Sequence, residues 1–325
     1  MRIALVKSYT DKPWRSPSTY ETIETSLRET WDVTPIAVPD GSILIKELLG
    51  LREQDRVFVF NIAEYLDETN KIGFIPWLLD SWGFPHLGSR AEAILLGLDK
   101  AATKNVLRKL NIPTPRDFVA KPGDSRSSIA LRAEEIGYPL MVKPCLEGGH
   151  IGISDDSITR DEKSLLAAVS RVFSLLSQPA LVETYIGGQG MREFSVGVME
   201  TTGGRIFTPI EIDYEVMGVP VKILSHESAI RDLERTKLLT DHLLRGRIED
   251  LASRTFDAVD ARDYARVDIR MDETAAYVLE INLMPGLDPH SFLPEAARNI
   301  HGMDYANLVR VLAGSSIARN FGVSP

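Results

Sequence analysis

Tyr277-Val278-Leu279-Glu280-Ile281-Asn282-Leu283-Met284-Pro285-Gly286 is the stretch from which the rest of the chain is best read. Side chains along a strand alternate between faces. Glu280 and Asn282 therefore share one face, with Val278 beside them, while Leu279, Ile281 and Leu283 turn to the other. The Pro285-Gly286 pair ends the strand. The preceding run, about 263–271, places Arg266, Asp268 and Arg270 on one face and Val267 and Ile269 on the opposite one. Paired as a hairpin, the two runs set Asp268 against Glu280 and Asn282. Three oxygen donors on one strand pair suit Mg²⁺, whose remaining positions are filled by nucleotide phosphates and water. An ordinary solvated sheet face is the competing reading, and Arg266 and the Pro-Gly turn weigh against it.

Upstream, Ile248, Leu251, Ala252, Thr255, Phe256 and Val259 fall at helical spacing, so a helix is expected over 246–259. A polar stretch, 225–247, precedes it. Arg231, Arg235, Arg245 and Arg247 within it are candidates for an acidic ligand or for a plain solvated face. The runs 205–212 and 219–224 read as strands. The segment 112–200 mixes helices near 127–136 and 162–176 with strands at Leu140–Lys143, Ala180–Tyr185 and Glu193–Met199, an antiparallel α+β pattern. Two features there carry chemistry. The strand Leu140-Met141-Val142-Lys143-Pro144 delivers one lysine into a loop, Glu147-Gly148-Gly149-His150-Ile151-Gly152, whose glycines let backbone N–H groups approach phosphates. A simple hairpin loop is the alternative, and no Gly-Lys-Ser/Thr follows to make it a P-loop. Val182-Glu183-Thr184-Tyr185-Ile186 and Glu193 offer carboxylates beside a short apolar run, a setting for an adenine and its ribose that is weak taken alone.

The first quarter alternates short strands (Ile3–Val6, Val33–Val38, Val57–Asn61) with helices (Ser18–Trp31, Ser42–Leu51, Ile75–Trp82), which predicts parallel βαβ units. Ser18 reads as the first helix cap, with Glu21 three residues on. Ligands of such sheets gather at the carboxyl ends of the strands, where Asn61 and Glu64 lie. A helical pattern from Ala91 to Leu110 breaks near Gly97, and a last helix is expected over Asp304–Leu312.

The 325 residues are enough for two or three domains. The net charge of −9 and the lack of a basic block argue against nucleic acid as a partner. A single cysteine, Cys145, excludes an internal disulfide framework and a multi-cysteine zinc site. No run approaches the roughly 18 apolar residues that span a bilayer, and the opening seven residues do not read as a signal peptide. A reducing cytoplasm is the expected setting, with no membrane partner.

Taken together and in order, these stretches resemble the ATP-grasp superfamily, and within it D-alanine–D-alanine ligases. The likeness runs from about Val57 to Leu312. It rests on Val59-Phe60-Asn61-Ile62-Ala63-Glu64, Gly88-Ser89, Asp99-Lys100 with Thr103-Lys104, and Ile112-Pro113-Thr114-Pro115. It continues through Val142-Lys143-Pro144 and its loop, Glu183 to Glu193, Arg266-Val267-Asp268, and Glu280-Ile281-Asn282 with Pro285-Gly286. The set and its order are far more specific than any one stretch.

The resemblance implies an α/β fold of three parts: an N-terminal parallel domain over 1–89, a central ATP-grasp subdomain over 90–187, and a C-terminal metal-binding domain over 188–325. ATP would lie between the last two. Lys100 and Lys143 would contact phosphates under the Gly148-Gly149 loop, Glu183 the adenine amino group, Ile186 the ring and Glu193 the ribose. Asp268, Glu280 and Asn282 would bind two Mg²⁺ ions, with Mn²⁺ as a substitute. Arg266 and the Gly286 N–H would stabilise a tetrahedral oxyanion, and Ser291 would hold a substrate carboxylate. The implied reaction is ATP-dependent amide formation through an acyl phosphate, with small-molecule acid and amine substrates and a homodimer as the family's common state. Three departures bear on the substrate. Lys7-Ser8-Tyr9-Thr10-Asp11-Lys12-Pro13-Trp14 replaces a Gly-Gly loop with Ser and Glu. Gly149 and His150 stand where the family carries two serines. Glu215-Val216-Met217-Gly218 lacks the closing Lys-Tyr pair, leaving Lys222 the nearest lysine. Glu64, His150 and Lys222 are thus the substrate-side candidates. The expected product is an amide other than, or in addition to, D-alanyl-D-alanine. True D-alanine–D-alanine ligation is the alternative, and a phosphotransferase or a non-catalytic ATP-binding protein is the reading of another class.

Overall fold

Arg2–Lys7 (β1) sits at the centre of a three-stranded parallel sheet, between Asp32–Ala37 (β2) and Val57–Asn61 (β3). Residues 1–8, 16–37, 41–63, 72–219, 221–230 and 233–322 are described by the computed structural model. Ile3 to Val6 and Phe58 to Phe60 are fully buried because helices cover both faces of the sheet. Pro17–Arg28 (α1) and Gly41–Arg52 (α2) make the crossovers, and Phe74–Ser81 (α3) follows β3. The cap of α1 is Ser16 rather than Ser18. Pro17 fixes the first helical φ, so the side chain one residue earlier receives Thr19 N at 3.3 Å. Glu64 and residues 9–15 lie outside the described residues.

The helical run expected over 91–110 is two helices, Ala91–Leu98 (α4) and Lys100–Lys109 (α5). The break falls at Asp99, whose carboxylate caps α5 by accepting from Ala102 N at 2.9 Å. A four-stranded, antiparallel sheet follows: Asp117–Ala120 (β4), Leu140–Pro144 (β5), Ile158–Thr159 (β6) and Ala180–Thr184 (β7), in the order β4-β7-β5-β6. Arg126–Ile136 (α6) and Glu162–Leu176 (α7) pack on one face of it. Strand β4 had no alternation to announce it.

The third sheet has five strands. Arg192–Thr201 (β8) and Gly204–Ile212 (β9) pair as a hairpin, and Thr236–Leu238 (β10) adds to β9. Between them lie two short helices, Tyr214–Met217 (α8) and His226–Ile230 (α9). His242–Ala258 (α10) packs Ile248, Leu251, Ala252 and Phe256 under the sheet, the predicted apolar face. Tyr264–Met271 (β11) and Ala276–Asn282 (β12) complete the order β10-β9-β8-β11-β12. The run 219–224 forms no strand among its described residues. Its Lys222 carbonyl instead accepts from Arg270 Nη2 at 2.5 Å and Tyr185 Oη at 3.1 Å. Phe292–His301 (α11) was not anticipated, and the last helix, Tyr305–Phe321 (α12), runs well past Leu312.

Two cores cross between sheets. Ala93, Ile94 and Leu107 of α4 and α5 join the core under the five-stranded sheet. Leu308, Val309 and Leu312 of α12 pack with Tyr20, Ile23 and Leu27 of α1. Asp263 ties the same regions by polar contacts, accepting from Gly88 N at 2.6 Å, Ser316 Oγ at 2.6 Å and Arg319 Nε at 2.8 Å.

Candidate active site

The hairpin β11–β12 sets Asp268 directly opposite Glu280 and Arg266 opposite Asn282, the register expected from alternation. A β-bulge then intervenes, because Ile269 pairs with Val278 and leaves Leu279 as the extra residue. The bulge reverses the facing predicted upstream of Glu280. Val278 turns into the core, and Leu279 turns outward beside Glu280 into a cleft. Asp268 and Arg270 line the same cleft, as their shared face required.

The cleft encloses about 550 Å³, part of it open to solvent. Its apolar walls are Met141, Ile153, Ile186, Ile223, Leu224 and Leu279. At one end, a smaller pocket is bounded by Lys100, Lys143, Glu147, His150 and Glu280. A flat apolar slot leading to buried cations suits a purine that carries a polyphosphate.

Every carboxylate lining the cleft is matched by a cation. Glu183 takes Lys143 Nζ at 2.7 Å and Lys104 Nζ at 2.8 Å. Met141 is the direct partner of Glu183 across β5 and β7, so Lys143, two residues on, meets it diagonally. Burial alone would raise the Glu183 pKa; the two lysines outweigh it and hold the carboxyl below its ordinary value. Burial depresses Lys104 more than Glu183 restores it, whereas for Lys143 Glu183 and Glu280 overcome burial and raise the pKa. Glu280 binds Lys100 Nζ at 3.0 Å, and Lys100 also donates to the Glu147 carbonyl at 2.6 Å. Burial would again raise the Glu280 pKa, but Lys100 and Lys143 hold it far below the carboxylate range. Glu193 takes Arg270 Nε at 2.6 Å and the Tyr214 hydroxyl at 2.6 Å. Asp268 accepts from Nε and Nη2 of the Arg266 guanidinium, at 3.0 and 2.8 Å, and from Ser195 Oγ at 2.9 Å. Burial disfavours the Arg266 cation, and Asp268 more than compensates.

Among the described residues, no three His, Cys, Asp or Glu side chains group closely enough to hold a metal ion by themselves. The Asp268, Glu280 and Asn282 set is two carboxylates and an amide on one face, and the Asn282 Oδ1 accepts from Met284 N at 3.0 Å. Oxygen donors on one face beside the phosphate end fit a hard cation that keeps nucleotide phosphates and water in its shell.

The other expected residues are placed as follows. Ile186 lines the cleft and its carbonyl accepts from Arg270 Nη1 at 3.2 Å. Gly148 and Gly149 lie in the exposed loop after β5, and Gly149, at φ 59°, sits in the left-handed region that glycine favours. His150 follows it at φ 57° and faces both the cleft and the smaller pocket. Gly286 lies half-buried past β12, and Ser291 caps the start of α11 without a side-chain bond to the helix. The Lys222 side chain is exposed; its carbonyl, not its ammonium, joins the cleft wall. Burial pushes the Cys145 thiol up to about 12, so it is no nucleophile. Sequence reasoning gave no role to Lys104, Arg270, Tyr214 or Glu234. Only the hairpin alternation, which put Arg270 on the Asp268 face, could have pointed to one of them.

The fold and this site define an ATP-grasp, ATP-dependent ligase that forms C–N bonds. A family model described as D-ala D-ala ligase C-terminus matches residues 106–313. D-alanine–D-alanine ligase B of Pseudomonas putida is 33% identical over 89% of this chain and 85% of its own length. An uncharacterized protein of Sinorhizobium fredii is 26% identical over 96% of this chain and 91% of its own. Among solved structures, D-alanine–D-alanine ligase from Bacillus anthracis complexed with ATP superposes with a TM-score of 0.78 at 21% identity, covering 98% of both chains. The chain belongs to the D-alanine–D-alanine ligase family. No helix among the described residues is long and apolar enough to cross a membrane.

Proposed function

We propose that this enzyme joins two amino acids through an acyl phosphate, releasing ADP and phosphate, with D-alanine as both donor and acceptor. The observation that carries the reading is the set of cations, buried Lys143 and Lys100 and half-buried Arg266, paired with Glu183, Glu280 and Asp268 at the cleft. Both chemical steps build negative charge on oxygen, first on the phosphoryl group and then on the tetrahedral carbon. Pre-placed cations in a site shielded from water stabilise that charge most. Lys100 and Lys143 bind and orient the nucleotide phosphates. Leu279, Ile186 and Met141 pack the adenine, with Glu183 as acceptor for its amino group and Glu193 for the ribose. Arg266, with the Gly286 N–H, faces the oxyanion, and Ser291 holds a substrate carboxylate. Asp268, Glu280 and Asn282 would hold Mg²⁺, which supplies charge neutralisation between the phosphates. The three parts, 1–89, 90–187 and 188–325, are proposed as the units that close on the substrates.

D-alanine is favoured by the relatives, which are D-alanine–D-alanine ligases by name. A second reading, an acid–amine pair other than D-alanine, rests on Gly149-His150 where the family carries two serines, and on the exposed Lys222 side chain where it has a closing Lys-Tyr pair. Wild-type protein incubated with ATP, Mg²⁺ and single amino acids or pairs separates them, with the product read by mass spectrometry. Asp268→Ala and Glu280→Ala should each lower ADP release by about a hundredfold or more, with an unchanged circular dichroism spectrum. Removal of Mg²⁺ by EDTA should do the same and be reversed by Mg²⁺ or Mn²⁺. Near-wild-type turnover in either variant contradicts the metal assignment.

A further inference from the structure

Glu234, which lies beside His150, differs from the four carboxylates that line the cleft. Glu183, Glu193, Asp268 and Glu280 each have a lysine or arginine nitrogen within 3.0 Å. Among the described residues, Glu234 has only the His150 Nε2, at 3.7 Å from its Oε1. That oxygen is buried and accepts no hydrogen bond among the described residues. An unmatched buried acceptor costs free energy that a short movement of His150 would recover. His150 itself holds a left-handed backbone, φ 57°, uncommon outside glycine. Such a conformation persists where neighbouring contacts impose it. A second contact set joins the same two segments. His226 N donates to the Ile153 carbonyl at 3.3 Å, and His226 Nδ1 lies 3.3 Å from the Gly149 carbonyl. The glycine loop is thus approached from one side by His226 and Glu234.

We propose that Glu234 is a positioning residue that acts through His150, pinning the 146–153 loop across the phosphate end of the cleft while nucleotide is bound. His150 faces both the nucleotide cleft and the pocket of Lys100, Lys143 and Glu280, so fixing it fixes the loop where the phosphates lie. The pair requires only an Nε2–H donor on the imidazole and the Glu234 oxygen as acceptor. This inference rests on the ATP-binding part of the proposed function and not on the identity of the amino acids.

The test compares full-length wild type, Glu234→Gln, Glu234→Asp, His150→Ala and the Glu234→Gln/His150→Ala double variant. Amide hydrogen exchange over 148–153 is measured with Mg²⁺ and a non-hydrolysable ATP analogue. Loss of the contact should speed exchange there by about tenfold, the worth of one hydrogen bond to a charged group. Both single variants should show it, the double variant no more than either, and Glu234→Asp should recover part of the protection. With the amino-acid substrate in hand, kcat should fall by about tenfold in the same variants while the KM for ATP stays within about threefold. Wild-type exchange in Glu234→Gln overturns the proposal. So does a double variant whose losses multiply, since independent residues act additively in free energy. A wild-type protein that fails to ligate D-alanine sinks that substrate reading alone, because the exchange measurement does not use it.

Discussion

Glu183 shows how far a single residue here departs from its isolated chemistry. Its carboxylate is buried between Lys104 and Lys143, with Lys104 also bonded to Thr114 Oγ1 at 2.6 Å. Glu183→Gln leaves two buried ammonium groups facing a neutral amide. It should destabilise the protein by about 3–5 kcal/mol, the usual cost of breaking a buried ion pair, read as a lower urea midpoint. The same residue predicts the acid limb of stability. Its folded pKa lies below the ordinary 4.5, as does that of Glu280. Their stabilising contribution is fully present above pH 4.5 and drains away as the pH falls below it toward the folded values. Urea midpoints should therefore hold steady above about pH 5 and drop below about 4.5, less steeply in Glu183→Gln. A wild-type midpoint that rises between pH 4.5 and 3.5 would contradict the assignment.

At the scale of elements, the hairpin β11–β12 was legible and its bulge was not. Alternation placed Arg266, Asp268, Glu280 and Asn282 on one face, and the register agrees. Alternation carries no mark of an inserted residue, so it put Leu279 in the core and Val278 in the cleft, the reverse of their positions. The bulge makes a paired prediction. Leu279→Ala should raise the KM for ATP by about tenfold through lost adenine packing, with stability changed by no more than about 1 kcal/mol. Ile281→Ala, two residues on and buried in the core, should cost about 2–5 kcal/mol with the KM for ATP unchanged. Reversal of the two outcomes would mean that the strand runs without its bulge. The α10 helix was read from its apolar face, while β4 and β10 escaped because three- and four-residue strands are too short to show a period. The strand expected at 219–224 failed for another reason: Ile223 and Leu224 line the cleft, and Leu224 also packs with Met191, Ile212 and Tyr214, so burial of its apolar residues needs no ladder partner.

For the whole molecule, the parallel sheet, the antiparallel sheets and the ATP-grasp class followed from the order of motifs, which one chain alone can display. What a sequence could not show is how the parts interlock. Helix α12 returns to α1 across nearly the full chain, and Asp263 gathers Gly88, Ser316 and Arg319 around one carboxylate. The pairing of Lys104 with Glu183 likewise depends on α5 meeting β7, a contact no local pattern encodes. These ties hold the cleft in register with the three sheets, so the molecule acts as one ligase. Its most direct test is a quantitative balance of products from wild-type protein, ATP, Mg²⁺ and D-alanine. ADP, phosphate and D-alanyl-D-alanine are expected in equal amounts, with no ADP when the amino acid is left out. ADP formed without any amide product, or no ADP with any amino acid tried, would contradict it.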